Sequence, residues 1–181
     1  MFNFEPMRYA ILVLCMLSGL ASVQAQTEIK KGKRYNYTVT IDDASFATSK
    51  PDQGATLTGY WKNGMLFRLE AWYGFNYGGI YRTFFYWEGD LITVTEIHKL
   101  YNGNDPLVEI DSIEPCFNAQ YIFEDGIITS IKQKGTYSLI EGPQDKASMQ
   151  GMYMGMSMKY LAAIEEKAAK KRNRKKLTEN P

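Results

Sequence analysis

Three groups of residues in this chain have the types and spacing to do chemistry. The first is acidic: Asp105, Glu109, Asp111 and Glu114, of which Glu109 and Asp111 stand two apart and share one face if the segment is a strand. Paired carboxylates can exchange protons in acid and base work, and their oxygens suit calcium. The second is sulfur-rich. Residues 149–158, "MQGMYMGMSM", hold five methionines, and thioethers are soft ligands for Cu(I). The third is aromatic: rings crowd residues 60–101, and Trp61, Trp72, Tyr73, Tyr77 and Trp87 are the candidate ligand contacts among them.

Each group also has a plainer account. The carboxylates fit the polar face of an edge strand, where charge discourages pairing with another chain. Helical spacing brings Met149, Met152 and Met156 together but sends Met154 and Met158 elsewhere, as adaptable core filler would be arranged. For the rings, one-sided packing is not enough: both faces of a sheet built from this stretch carry them. Either a second layer covers the far face or a concave aromatic surface meets a ligand, with "YGFNYGG" at 73–79 as its rim. Glycan stacking and acyl-chain packing both suit such rings.

The usual signatures of catalysis are missing from the sequence. It has no nucleophile and base pair at a telling spacing, no glycine-rich phosphate loop and no metal-spaced His and Cys cluster. His98 is the only histidine and lies in a strand-like run, with nothing to mark it as a neighbour of Cys116. Cys15 falls in the apolar leader described below, so Cys116 has no partner for an internal disulfide and reads as a buried apolar thiol. No catalytic residue, metal or cofactor is therefore assigned. An envelope glycan-acting enzyme using Glu109 and Asp111, and a Met-rich copper-handling protein, stand as alternatives to a binding module.

The elements that must position these groups are mostly strands. "YWKNGML", "YWEGDL" and "FEDGII" share one phrase: an aromatic, two residues, a glycine, one residue, then Leu or Ile. Asn63-Gly64, Glu88-Gly89 and Asp125-Gly126 are turn signals, because a type I′ turn needs positive φ at both central residues. Three hairpins follow. "YNYTVTI" alternates as a half-buried strand. In "MLFRLEAWY", Met65, Phe67, Leu69, Ala71 and Tyr73 fall on one side, and Leu66, Arg68, Glu70 and Trp72 on the other. "PLVEIDSI" reads as a strand exposing Glu109 and Asp111, whereas residues 42–54 and 102–106 read as loops. The expectation is a mainly β, α+β fold: an antiparallel meander or half-barrel of about eight or nine strands.

After Gly142-Pro143 the composition turns to strong helix formers, so a helix of roughly 25–30 residues is expected, with Pro143 in its first turn. Met149, Met152, Tyr153, Met156, Tyr160, Ala163 and Ile164 form its apolar stripe, and the helix roofs the sheet. Gly151 and Gly155 weaken a helix, which suggests close backbone approach there.

Two ends carry separate signals. "AILVLCMLSGLA" at 10–21, followed by small residues at Val23 and Ala25, reads as an export signal cleaved near Ala25, since the run is too short to span a bilayer. The chain then divides into a signal peptide at 1–25, a β domain with its helix at 26–166, and a basic tail at 167–181. The tail holds Lys167, Lys170, Lys171, Arg172, Arg174, Lys175 and Lys176 against Glu179, so residues 26–166 carry an acidic excess although the net charge is only +1. Such a tail can meet an anionic surface or end as a solvated helix terminus. A nucleic-acid partner does not fit an exported chain with an acidic body.

The recurring hairpins, with a leader ending in "QAQ", resemble uncharacterised small exported proteins of Gram-negative bacteria of the Bacteroidetes type over about residues 55–135. The third copy departs in having one aromatic before its turn and no tryptophan. The resemblance implies a periplasmic or outer-membrane-associated β protein with no catalytic residues to carry over. The aromatic face, separately, points to an unknown small-molecule, glycan or envelope partner.

Overall fold

The computed structural model describes residues 37–47, 50–101, 109–137 and 145–179, with side chains described as far as residue 171. The expected export signal, the 102–106 loop, Asp105 and Pro143 lie outside the described residues. Seven strands follow one another as a single antiparallel meander: β1 (Tyr37–Ile41), β2 (Ala55–Lys62), β3 (Met65–Phe75), β4 (Gly78–Trp87), β5 (Asp90–Leu100), β6 (Phe117–Glu124) and β7 (Ile127–Gly135). One long helix, α1 (Lys146–Glu179), lies across one face.

The repeated phrase encodes a hairpin that pins its own register. In all three turns both central residues have positive φ: 54° and 78° at Asn63 and Gly64, 51° and 97° at Glu88 and Gly89, 50° and 76° at Asp125 and Gly126. The aromatic and the aliphatic of the phrase are then directly opposite across the hairpin, as Trp61 with Leu66, Tyr86 with Leu91, and Phe123 with Ile128. Opposite residues share a sheet face, so each phrase supplies one ring and aliphatic pair to the helix side. Immediately after this pair every hairpin has a one-residue bulge, since Tyr60, Phe85 and Ile122 pair with Arg68, Thr93 and Ser130. The bulge corrects the simple alternation for β3: Leu66 belongs to the face of Leu69, Ala71 and Tyr73, and Phe67 is the extra residue.

The helix side holds the core. Leu57, Leu69, Phe84, Val94 and Ile128 are completely buried there with Tyr153, Tyr160 and Ile164 of α1. Phe46, from a single 3-10 turn at Ala44–Phe46 in the expected 42–54 loop, closes one flank with its ring 5.6 Å from those of both Tyr73 and Tyr160. Asp145 caps α1, accepting from the Ser148 amide at 2.9 Å and the Ser148 hydroxyl at 2.7 Å. The helix exceeds its expected length because the basic segment after Ala168 continues it to Glu179. Its buried stripe runs Tyr153, Ser157, Tyr160, Ile164 and Ala168, while the methionines flank the stripe and Met158 is exposed. Among the described residues no helix is long and apolar enough to cross a membrane.

Three expectations are corrected. Among the described residues the sheet has seven strands, and the described end of the "PLVEIDSI" segment, from Glu109 onward, is not one of them. Its Ile110–Ser112 part is a 3-10 turn, held by the Lys99 ammonium, which donates to the Ile110 and Asp111 carbonyls at 3.2 and 3.0 Å. The strand face that would have paired Glu109 with Asp111 therefore does not form. Gly151 and Gly155 lie on the open side of α1, where an added Cβ would meet nothing within 4 Å, so close approach is not what places glycine there. Close approach occurs instead at Gly59, where a Cβ would fall 2.8 Å from Ile164 of α1 and 2.7 Å from the Trp61 ring.

Candidate functional site

The sheet face away from α1 is ordered by register into rows that run across the strands. One row takes a polar residue from every strand: Thr40, Thr58, Glu70, Thr83, Thr95, Gln120 and Lys132, each paired directly with the next. At a strand spacing near 4.8 Å this stripe is about 29 Å long. The rows on either side carry the rings. One includes Tyr60, Arg68, Phe85 and Thr93; the other includes Thr56, Trp72, Tyr81 and Ile97. Each flanking row lies about 7 Å from the stripe, two residues along the strands.

Local contacts hold these groups in place. The Tyr60 hydroxyl donates to Glu70, and the Arg68 guanidinium lies 4.0 Å from the Tyr60 ring centre and 3.4 Å from the same carboxylate. At the other side of the stripe, Tyr81 donates to Asp111 at 3.1 Å and the Lys99 ammonium sits 5.7 Å from the Tyr81 ring centre. Burial and the nearby Asp111 charge both push the Tyr81 phenol up, so it remains a neutral donor. Thr40 and Thr58 hydroxyls meet at 3.1 Å. Tyr60, Trp72, Tyr81 and Phe85 are half-buried, with edges open to solvent. The face thus presents donors and acceptors in a line between flat apolar surfaces, an arrangement that can hold an elongated molecule bearing many hydroxyls.

A second constellation lies inside, and the reading of motifs missed it. Arg82 and Glu96 are opposite each other on β4 and β5, on the helix side of the sheet. Arg82 donates to both Glu96 oxygens, from Nε at 2.7 Å and from a terminal nitrogen at 3.2 Å. The His98 Nε2 meets Glu96 at 2.5 Å, and the Tyr153 hydroxyl of α1 donates to it at 2.8 Å. A carboxylate only accepts, so His98 carries its hydrogen on Nε2. Burial alone would raise the Glu96 carboxyl, but Arg82 and His98 outweigh it and hold it at about 2. Glu96 and His98 are fully enclosed, and Tyr137 and Phe117 cover the imidazole at 4.7 and 5.0 Å. The Tyr153 bond makes this cluster a tie between helix and sheet. Its legible trace was phase: Arg82 alternates with Ile80 and Phe84, and Glu96 with Val94, so both fall on the core face.

The five rings expected at one ligand face are placed apart. Trp61 and Tyr73 lie in the core at 5% and 2% exposure; Trp61 stacks on Tyr37 at 4.8 Å, and the Tyr73 hydroxyl bonds that of Tyr160. Trp72 alone joins the ordered rows of the far face. Tyr77 is exposed at the β3–β4 turn, stacked on Phe75, and Trp87 is exposed at the opposite end of β4, beside the Glu88-Gly89 turn. Cys116 is half-buried and its thiol donates to the His98 carbonyl at 3.4 Å, so the two residues are neighbours through backbone rather than through the ring. No group of three or more His, Cys, Asp or Glu side chains among the described residues could hold a metal ion.

Comparison with protein-family models, with curated proteins and with solved structures finds no match.

Proposed function

We propose that this protein is a non-catalytic binding module of the Gram-negative envelope, exported to the periplasm or associated with the outer membrane, and that its far sheet face holds an extended glycan. The observation that carries this reading is the unbroken polar row from Thr40 to Lys132, flanked by Tyr60, Trp72, Tyr81 and Phe85. A merely solvated face would carry polar residues throughout, whereas here rings flank the polar row on both sides. Sugar hydroxyls would bond along the stripe, and sugar faces would lie against the rings.

The test is titration of tryptophan fluorescence with soluble peptidoglycan fragments, lipopolysaccharide core oligosaccharide and neutral polysaccharides, in a Trp87→Phe background that removes the exposed turn ring and leaves Trp72 with the buried Trp61. One of these shifts the emission, and Glu70→Ala or the pair Thr83→Val and Thr95→Val weakens binding roughly five- to tenfold, the value of about one lost hydrogen bond. An emission unmoved by every glycan overturns the glycan reading. Binding that survives all of these substitutions removes the far face as its seat.

A further inference from the structure

The helix crosses the sheet from β7 toward β1, against the strand order, and does not stop at its edge. Near its start, Gln150 accepts from the Ile128 amide of β7 at 3.1 Å. Tyr153 then reaches Glu96 on β5, and Ile164 lies over Gly59 on β2. One turn later Lys167, Lys170 and Lys171, all exposed, line a cleft of about 330 Å³ with Val39 and Thr40 of β1. From there α1 continues to Glu179. Residues 172–179 rise about 12 Å along the helix axis, more than two strand spacings.

The two edges of the sheet are built differently. β7 exposes Lys132 and Lys134, charges that discourage another strand from pairing there. β1 reads Tyr-Thr-Val-Thr-Ile, with no charge, no proline and a register to β2 free of bulges. Among the described residues β1 has a sheet neighbour on one side only. A β-branched, uncharged edge that is unpaired among the described residues and lies beneath a lysine-bearing helix has the requirements for strand addition: a backbone ladder for affinity and a charged wall for choice of partner.

We propose that the β1 edge accepts an acidic, extended segment of another protein as an eighth strand, seated below α1 with carboxylates toward Lys167, Lys170 and Lys171. Glu166, which accepts from Lys170 at 2.5 Å, and Asp43, which lies near Lys167, are the acidic groups already at this cleft, and both are exposed. An incoming carboxylate therefore competes only with solvent-screened partners. A lipid surface would use the lysines but has no use for the ladder beside them, and this favours a polypeptide.

Fluorescence anisotropy on the full chain tests the proposal. The probe is a labelled ten-residue peptide alternating valine and glutamate; its controls are the same peptide with lysine for glutamate and one N-methylated at alternate amides. The acidic peptide binds at least about tenfold more tightly than either control, binding weakens in high salt, and it slows amide exchange across Tyr37–Ile41. Lys167→Glu, Lys170→Glu and Lys171→Glu together abolish binding while leaving circular dichroism unchanged, and Thr40→Pro abolishes it through the ladder. Equal binding of the lysine peptide overturns the charge selection, and equal binding of the N-methylated peptide overturns strand addition. Binding to phosphatidylglycerol vesicles with none to the acidic peptide overturns the proposal as a whole.

Discussion

The Tyr153 hydroxyl of α1 donates to the Glu96 carboxylate of β5 at 2.8 Å, on the same oxygen that takes the Arg82 Nε hydrogen bond. One buried carboxylate thus joins the helix to the central strand β4 and its neighbour β5, and His98 closes the set from two residues along β5. A charge held this way is costly to expose singly, and most of the mutational sensitivity of the core should concentrate here.

Glu96→Gln leaves the Arg82 guanidinium buried without its counter-charge and should destabilise the fold by about 3–5 kcal/mol. Arg82→Met in the same background removes the orphaned charge, and the glutamine keeps one oxygen, able to accept from either Tyr153 or His98, which bond different oxygens of Glu96, so the double variant should recover part of that loss. Tyr153→Phe should cost about 1–3 kcal/mol by removing one donor to a buried charge. Denaturant unfolding of the parent, Glu96→Gln, Arg82→Met and their double variant as a double-mutant cycle measures the coupling, with Tyr153→Phe measured beside them; an additive cycle would show that Arg82 and Glu96 do not act as a pair.

Acid should unfold the protein through the same residue. The Glu96 carboxyl is held at about 2 when folded, below its ordinary 4.5. The unfolded chain therefore takes up the proton first as pH falls, and the stability that Glu96 contributes is complete above about 4.5 and lost between there and 2. The amount is up to roughly 3 kcal/mol. Urea midpoints from pH 6 to 2.5 should drop more steeply in the parent than in Glu96→Gln, which has no proton to bind at that position; parallel curves would contradict the assignment.

The three turns are not equally well made. Asn63 and Asp125 are of the residue types that visit positive φ most readily after glycine, whereas Glu88, at φ of 51°, is not. Glu88→Asn should raise stability by about 0.5–1 kcal/mol, read as a higher thermal midpoint, and Asn63→Ala should lower it by a similar amount.

Glycine should behave oppositely on the two layers. Gly151→Ala and Gly155→Ala fill open space on a helix and should each stabilise by about 0.5–1 kcal/mol. Gly59→Ala forces a methyl against Ile164 and the Trp61 ring and should destabilise by about 1–3 kcal/mol. Thermal unfolding of the three variants distinguishes these signs.

What could be read from the residues alone was local. Asn63-Gly64, Glu88-Gly89 and Asp125-Gly126 announce hairpins because positive φ is a property of two adjacent residues, and the helix after residue 145 follows from propensity summed over a long run. The face of Leu69, Ala71 and Tyr73 was legible by alternation, but Leu66 was not, because a bulge shifts phase by one residue without marking the sequence. The tertiary structure decided the rest. Lys99 and Tyr81 reach out from the sheet to hold Ile110 and Asp111, which turns a strand-like segment into a 3-10 turn. Whether Trp61 meets solvent or core depends on α1 arriving from a hundred residues away. The polar row from Thr40 to Lys132 exists only when six registers are fixed together, since each residue is unremarkable within its own strand and becomes part of a surface only through its neighbours.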